Sequence, residues 1–159
     1  MITHSHCTWL RKVANAQKLR DTIVLAQREL ANVEFDTIAF TGLSGSLFGP
    51  VLAYVMGKEI IAVRKQGEPN HSGRDAEGHA AAKRVLIVDD FVSSGNTLRN
   101  IDQAVRALTF QNAKIIGVYL YEEVTVVLEY PRRGFMTEAT DQFCPTRVVW
   151  TADKEEGAE

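Results

Sequence analysis

RVLIVDDFVSSGNTL, residues 84–98, decides how this chain is read. Val85, Leu86, Ile87 and Val88 are all apolar, and three of them are β-branched. A short apolar run without alternation predicts a strand covered on both faces, as in a parallel sheet. Two adjacent carboxylates follow at once, Asp89 and Asp90, and then a stretch with little side chain: Ser93, Ser94, Gly95, Asn96, Thr97. In open α/β sheets, ligands gather beyond the carboxyl ends of the strands. A loop of small residues can turn its backbone N–H groups inward, and a helix opening from it favours an anion. Carboxylates at the strand end suit hydroxyl groups; donors in the loop suit a phosphate. A ribose 5-phosphate carries both at this spacing.

Outward from that stretch, strands and helices alternate. The apolar spacing of Leu10, Val13, Ala16, Leu19, Ile23, Ala26 and Leu30 predicts a helix over about residues 10–31. FDTIAFTG (35–42) reads as a strand stopped by Gly42. SLFGPVLAYVMG (46–57) reads as a helix with Pro50 in its first turn and Gly57 at its end. EIIAVRK (59–65), VLIVDD (85–90) and KIIGVYLYEE (114–123) are further strands, with a helix over about 97–109 between the last two. VTVVLEY (124–130) and TRVVW (146–150) are candidate additional strands. The order implies α/β: an open, mostly parallel central sheet with flanking helices. Residues 66–83, QGEPNHSGRDAEGHAAAK, are almost free of apolar side chains before Ala80 and read as a mobile surface loop. The acidic end, 151–159, reads as a frayed tail.

At 159 residues, one domain is expected, burying roughly 70% of its unfolded surface. A net charge of −2 builds in no attraction to a nucleic-acid backbone. Apolar runs break at charges, so no membrane span is expected, and MITHSHCTWLRKV has no h-region of a signal peptide. Cys7 and Cys144 stand far apart in no metal spacing, which reads as reduced thiols of a cytoplasmic protein.

VLIVDDFVSSGNT resembles the phosphoribosyl-pyrophosphate (PRPP) motif of the type I phosphoribosyltransferases. The likeness extends over about residues 35–123, where FDTIAFTGLSGSLFGPVLAYVMGKEIIAVRKQG and AKIIGVYLYEE are most similar to adenine phosphoribosyltransferases. The resemblance implies the type I fold with a small hood drawn from the termini: the N-terminal helix region within 1–34 and the 122–146 segment. It implies that Asp89 and Asp90 hold the ribose hydroxyls. It implies that Ser93, Ser94, Gly95, Asn96 and Thr97 cradle the 5-phosphate. Thr41, Gly42, Leu43, Ser44 and Gly45 would form a pyrophosphate loop containing a non-proline cis peptide, with Arg64 and Lys65 facing the pyrophosphate. Mg²⁺ would arrive with PRPP, meeting Asp89 and Asp90 indirectly through substrate and water. The implied partners are PRPP, a purine-like nitrogenous base and a second copy of the chain, with pyrophosphate as product of a nucleotide-salvage reaction. Residues 66–83 would be the lid that excludes water.

The sequence also departs from the adenine enzymes. The 66–83 loop is shorter and lacks their tyrosine-containing lid pattern, and Ser44 replaces an arginine common in them. None of Glu68, Asp75 and Glu77 matches a catalytic carboxylate of the family. Two functions are therefore weighed: a transferase joining a base to PRPP, and a PRPP-binding regulator or sensor of the same fold without turnover. Simpler readings cover other features: His4 and His6 as a solvated terminus, His71 and His79 as loop residues, Trp9, Phe135, Phe143 and Trp150 as core, Arg132 and Arg133 as a solvated turn.

Overall fold

A computed structural model describes residues 10–69, 71–90 and 95–122, and the backbone of 134–136. The central sheet runs in the order β3-β2-β1-β4-β5-β6. Its strands are β1 (Thr37–Thr41), β2 (Glu59–Val63), β3 (Ala76–Gly78), β4 (Arg84–Asp89), β5 (Lys114–Leu120) and β6 (Gly134–Met136). The four inner strands β2, β1, β4 and β5 are parallel, and β3 and β6 close the two edges antiparallel. The expected α/β fold is therefore present. The candidate strands at 124–130 and 146–150, the 122–146 part of the hood beyond these residues, and the acidic tail lie outside the described residues.

Helices α1 (Ala16–Glu29), α2 (Gly42–Met56) and α3 (Asn96–Leu108) flank the sheet. The β1–α2–β2 and β4–α3–β5 crossovers step in opposite directions, so right-handed connections put α2 and α3 on opposite faces. Burial agrees. Phe48 and Leu52 of α2 pack with Phe40, Leu86, Val88, Tyr119 and Tyr121, and α1 adds Ile23 and Ala26 to the same layer. Leu98, Ile101 and Val105 of α3 pack with Ala39, Ile61, Val85 and Ile87 on the other side. Each of the Val, Leu, Ile and Phe side chains, fully buried, contributes about 1.5–3 kcal/mol. Val85 to Val88 are buried on both faces, as the unbroken apolar run predicts.

Asp36 fixes the relative position of β1 and β4. Its carboxylate accepts from the Lys83 and Arg84 N–H groups, at 3.0 and 2.8 Å, and from the Thr37 hydroxyl at 2.6 Å. Burial opposes its charge, but these three donors outweigh that and hold its pKa below the usual value.

Three expectations are corrected. The N-terminal helix starts at Ala16 rather than near Leu10, where Asn15 caps it by accepting from the Lys18 N–H at 3.0 Å. Helix α2 begins at Gly42, so Pro50 lies in its interior and not in its first turn. Proline there removes the bond that would reach the Ser46 carbonyl. Glycines at 45 and 49 explain why the helix forms regardless: a β-carbon at Gly45 would stand 3.0 Å from Phe40 Cβ, and one at Gly49 2.6 Å from Phe40 Cδ1. The helix lies so close to β1 that a larger residue at either position would force Phe40 to shift, and tertiary packing overrides weak propensity. Finally, residues 66–83 are not all loop. Ala76–Gly78 pair with β2, and the Arg64 N–H donates to the Asp75 carbonyl at 2.8 Å.

Candidate active site

Register brings the chemistry together. Thr41 pairs with Val63, Ala39 with Ile87 and Asp89 with Leu120, so the carboxyl ends of β1, β2, β4 and β5 share one edge. Chain order reverses between β1 and β4, the place where such sheets open a crevice. Asp89 and Asp90 leave β4 there, while Arg64 and Lys65 leave β2.

Asp89 is buried, and its carboxyl is pushed well above the usual range, first by that burial and then by the charge of Asp90. Lys65 acts in the opposite sense, which puts its ammonium within electrostatic reach. The Asp90 N–H donates to Asp89 Oδ1 at 2.9 Å. The N–H groups of Tyr121 and Glu122 donate to the Asp89 and Asp90 carbonyls, at 3.3 and 3.1 Å, so β5 holds the pair from the side.

Of the expected phosphate cradle, Ser93 and Ser94 lie outside the described residues. Gly95 caps α3 at φ 78°, a left-handed conformation that glycine adopts without strain, and Asn96 and Thr97 form the exposed first turn. Arg99 was not among the expected residues. Its guanidinium folds back so that Nη1 is 3.3 Å from where a Gly95 β-carbon would be. A spacing of four residues, one helical turn, was the available signal.

The expected pyrophosphate loop is instead the first turn of α2, and no cis peptide occurs among the described residues. Its five residues divide. Gly42 and Leu43 line an open cleft of about 480 Å³ with Arg64, Lys65, Glu68 and Glu77. Thr41 is turned to structure, its hydroxyl donating to the Val63 carbonyl at 2.7 Å. The Ser44 carbonyl accepts from the Tyr121 hydroxyl at 3.1 Å. Burial first, and then the nearby Asp90 and Asp89, keep that phenol protonated. Gly45 packs on Phe40.

Arg64 donates through Nη2 to Glu77 Oε1 at 2.8 Å, and its Nε is buried with no hydrogen-bond partner among the described residues. The Lys65 N–H donates to Glu68 Oε2 at 3.3 Å. Two cations and the N-terminal amides of α2 thus share one cleft with two carboxylates, Glu68 and Glu77, so a polyanion entering it would gain the cations in competition with the carboxylates.

Residues 24–151 match the family model described as the phosphoribosyl transferase domain. The chain belongs to that family. An adenine phosphoribosyltransferase of Bifidobacterium longum (strain NCC 2705) is 41% identical over 81 residues, a match spanning 42% of each chain. An orotate phosphoribosyltransferase of Pyrobaculum aerophilum is 32% identical over 93 residues, 58% of this chain and 47% of that one. The crystal structure of adenine phosphoribosyltransferase from Thermoanaerobacter pseudethanolicus superposes with a TM-score of 0.54 at 27% identity, covering 69% of this chain and 70% of that chain. The chain thus matches about half or less of the length of these curated relatives. Among its described residues no helix is long and apolar enough to cross a membrane.

Proposed function

We propose that this family member is a Mg²⁺-dependent transferase that moves the ribose 5-phosphate of PRPP to a nitrogenous base, purine or purine-like, and releases pyrophosphate. The observation that carries this is the shared edge: the Asp89–Asp90 pair, the Arg64–Lys65 pair and the N-termini of α2 and α3 all meet at the carboxyl ends of the inner strands. Asp90 and Asp89 accept from the ribose hydroxyls. Gly95, Asn96 and Thr97, with Ser93 and Ser94, hold the 5-phosphate. Arg64 and Lys65 face the pyrophosphate at the start of α2.

The reaction is a substitution at the anomeric carbon. The bond to the pyrophosphate oxygen breaks, a ring nitrogen of the base forms the new bond, and the sugar passes through an oxocarbenium-like state. The protein supplies position and neutralises the charge growing on the leaving group. Residues 66–83, apart from the paired strand β3, act as the lid that keeps water from the sugar. Mg²⁺ bound to PRPP would neutralise pyrophosphate charge. The donors fit an ion carried in by the substrate: Asp89 and Asp90 offer hard oxygens, and no group of three or more His, Cys, Asp or Glu among the described residues could hold a metal alone.

We further propose a cytoplasmic homodimer. The 15 residues of α2 include no charged side chain, yet Tyr54 is 86% exposed and Leu43 64%. Large apolar side chains exposed along a charge-free helix are expected to be covered by a partner.

The test is PRPP consumption with Mg²⁺ over adenine, hypoxanthine, guanine, xanthine, orotate, uracil and nicotinate. Pyrophosphate release with a purine is expected. Protein that binds PRPP yet releases none with any of these acceptors overturns the transferase reading for this panel and favours the sensor.

A further inference from the structure

The contact between Arg64 and Glu77 has a consequence for binding. Arg64 is at the end of β2, and Glu77 is in the middle of β3, the short antiparallel edge strand inside the 66–83 segment. Glu77 Oε1 accepts from Arg64 Nη2 at 2.8 Å and also from the Ser72 hydroxyl at 2.8 Å. Both Arg64 and Glu77 line the cleft, and both are partly open to solvent, with side-chain exposures of 36% and 51%. The Arg64 Nε is buried and bonded to nothing among the described residues.

Arginine grips a phosphate best with its fork, using Nε and an Nη together. Here one prong is occupied by a carboxylate and another is covered. A pyrophosphate group entering the cleft meets an Arg64 that is already engaged, and a carboxylate that repels it. We propose that Glu77 is a latch: a carboxylate carried on β3 that occupies Arg64 and must let go before Arg64 can grip the pyrophosphate end of the substrate. Ser72 steadies the latch by holding the same oxygen. The inference rests on the pyrophosphate reading of the cleft and adds a competing state to it.

The size of the effect follows from the exposure of the pair. Exposed ion pairs are weak, so the latched state exceeds the open one only by a small factor, and apparent affinity is reduced by the open fraction. Freeing Arg64 should therefore tighten binding by about two- to sixfold. Loss of a nearby negative charge could by itself favour an anion. A latch differs from such a field effect because it acts through Arg64 alone.

The experiment is a double-mutant cycle read by calorimetry with inorganic pyrophosphate and Mg²⁺. Glu77→Gln should bind pyrophosphate about two- to sixfold more tightly than wild type. Ser72→Ala should move affinity the same way by less. In an Arg64→Gln background, where binding is already weaker, Glu77→Gln should give no further gain. Equal or weaker binding by Glu77→Gln overturns the latch and makes Glu77 a bystander or a positioning partner of Arg64. An undiminished gain without Arg64 overturns it in favour of a simple field effect. No pyrophosphate binding by the wild-type protein overturns the reading of the cleft, and the latch with it.

Discussion

Lys65 lies directly across Gly42: a β-carbon on Gly42 would stand 2.7 Å from Lys65 Cε and 3.3 Å from its Nζ. A cation at a helix N-terminus opposes the helix dipole, an arrangement that a bound anion would relieve. Gly42 also has φ 65°, a conformation that costs other residues about 1–2 kcal/mol. Gly42→Ala therefore acts twice, straining the turn and displacing the lysine. Pyrophosphate affinity should fall about tenfold, or ~1.4 kcal/mol, with the fold retained. Calorimetry on the variant, with circular dichroism as the check on folding, measures both. Unchanged affinity would separate Lys65 from the anion site.

Lys65 itself should matter more to the rate than to binding. Charge grows on pyrophosphate as the glycosidic bond breaks, so a cation beside it does most in the transition state. Lys65→Ala should lower turnover by roughly 10- to 100-fold more than it weakens PRPP binding, on the order of 1.4–2.7 kcal/mol. Steady-state kinetics alongside PRPP titration give the two numbers. Equal losses would mean uniform binding of substrate and transition state.

Asp89 links the site to stability. Its folded pKa is raised, chiefly by burial and then by Asp90, whereas an unfolded aspartate titrates near about 3.9. The sign follows: stability is fully present below about pH 4 and is lost as pH rises through the raised folded value. An ionised Asp89 therefore costs stability at neutral pH, and Asp89→Asn, which does not ionise, should raise Tm there and flatten its fall above pH 4. The same change should weaken PRPP binding by about 1–3 kcal/mol. Melting curves from pH 4 to 8 test the first half; a lower Tm for the variant at pH 7 would show that the carboxylate is compensated by contacts stronger than its burial.

Much of this site was legible because parallel strands advertise themselves. Val85 to Val88 and Ile38 to Phe40 are buried on both faces, so their sequence carries no alternation to misread. Asp89, Asp90, Arg64 and Lys65 then follow directly from where strands stop. What escaped were features set by distant packing. Residues 42–45 are expected in a loop, and they instead open α2, with Gly45 packed against Phe40. Strand β3 has three residues with no apolar pattern, and its order comes from pairing with Ile61, Ala62 and Val63. The Arg64–Glu77 contact spans 13 positions that no local rule connects.

The face of α2 gives the last prediction. Val51, Tyr54 and Val55 lie on one side of the helix at three- and four-residue spacing, exposed by 36%, 86% and 41%. Leu43, one end of the same apolar helix, lines the cleft, so whatever covers α2 approaches the anion site as well. A second copy is a suitable cover because a charge-free helix meets its own image without repulsion, as a two-fold interface requires. Wild-type protein should run as a dimer in light scattering at micromolar concentration. Val51→Lys with Tyr54→Lys would place like charges opposite each other across the two-fold axis, and the protein should become monomeric with its circular dichroism unchanged. Turnover should fall with dimer content if the second copy shields the cleft. A double variant that stays dimeric would move the interface elsewhere, and a monomeric wild type would remove it.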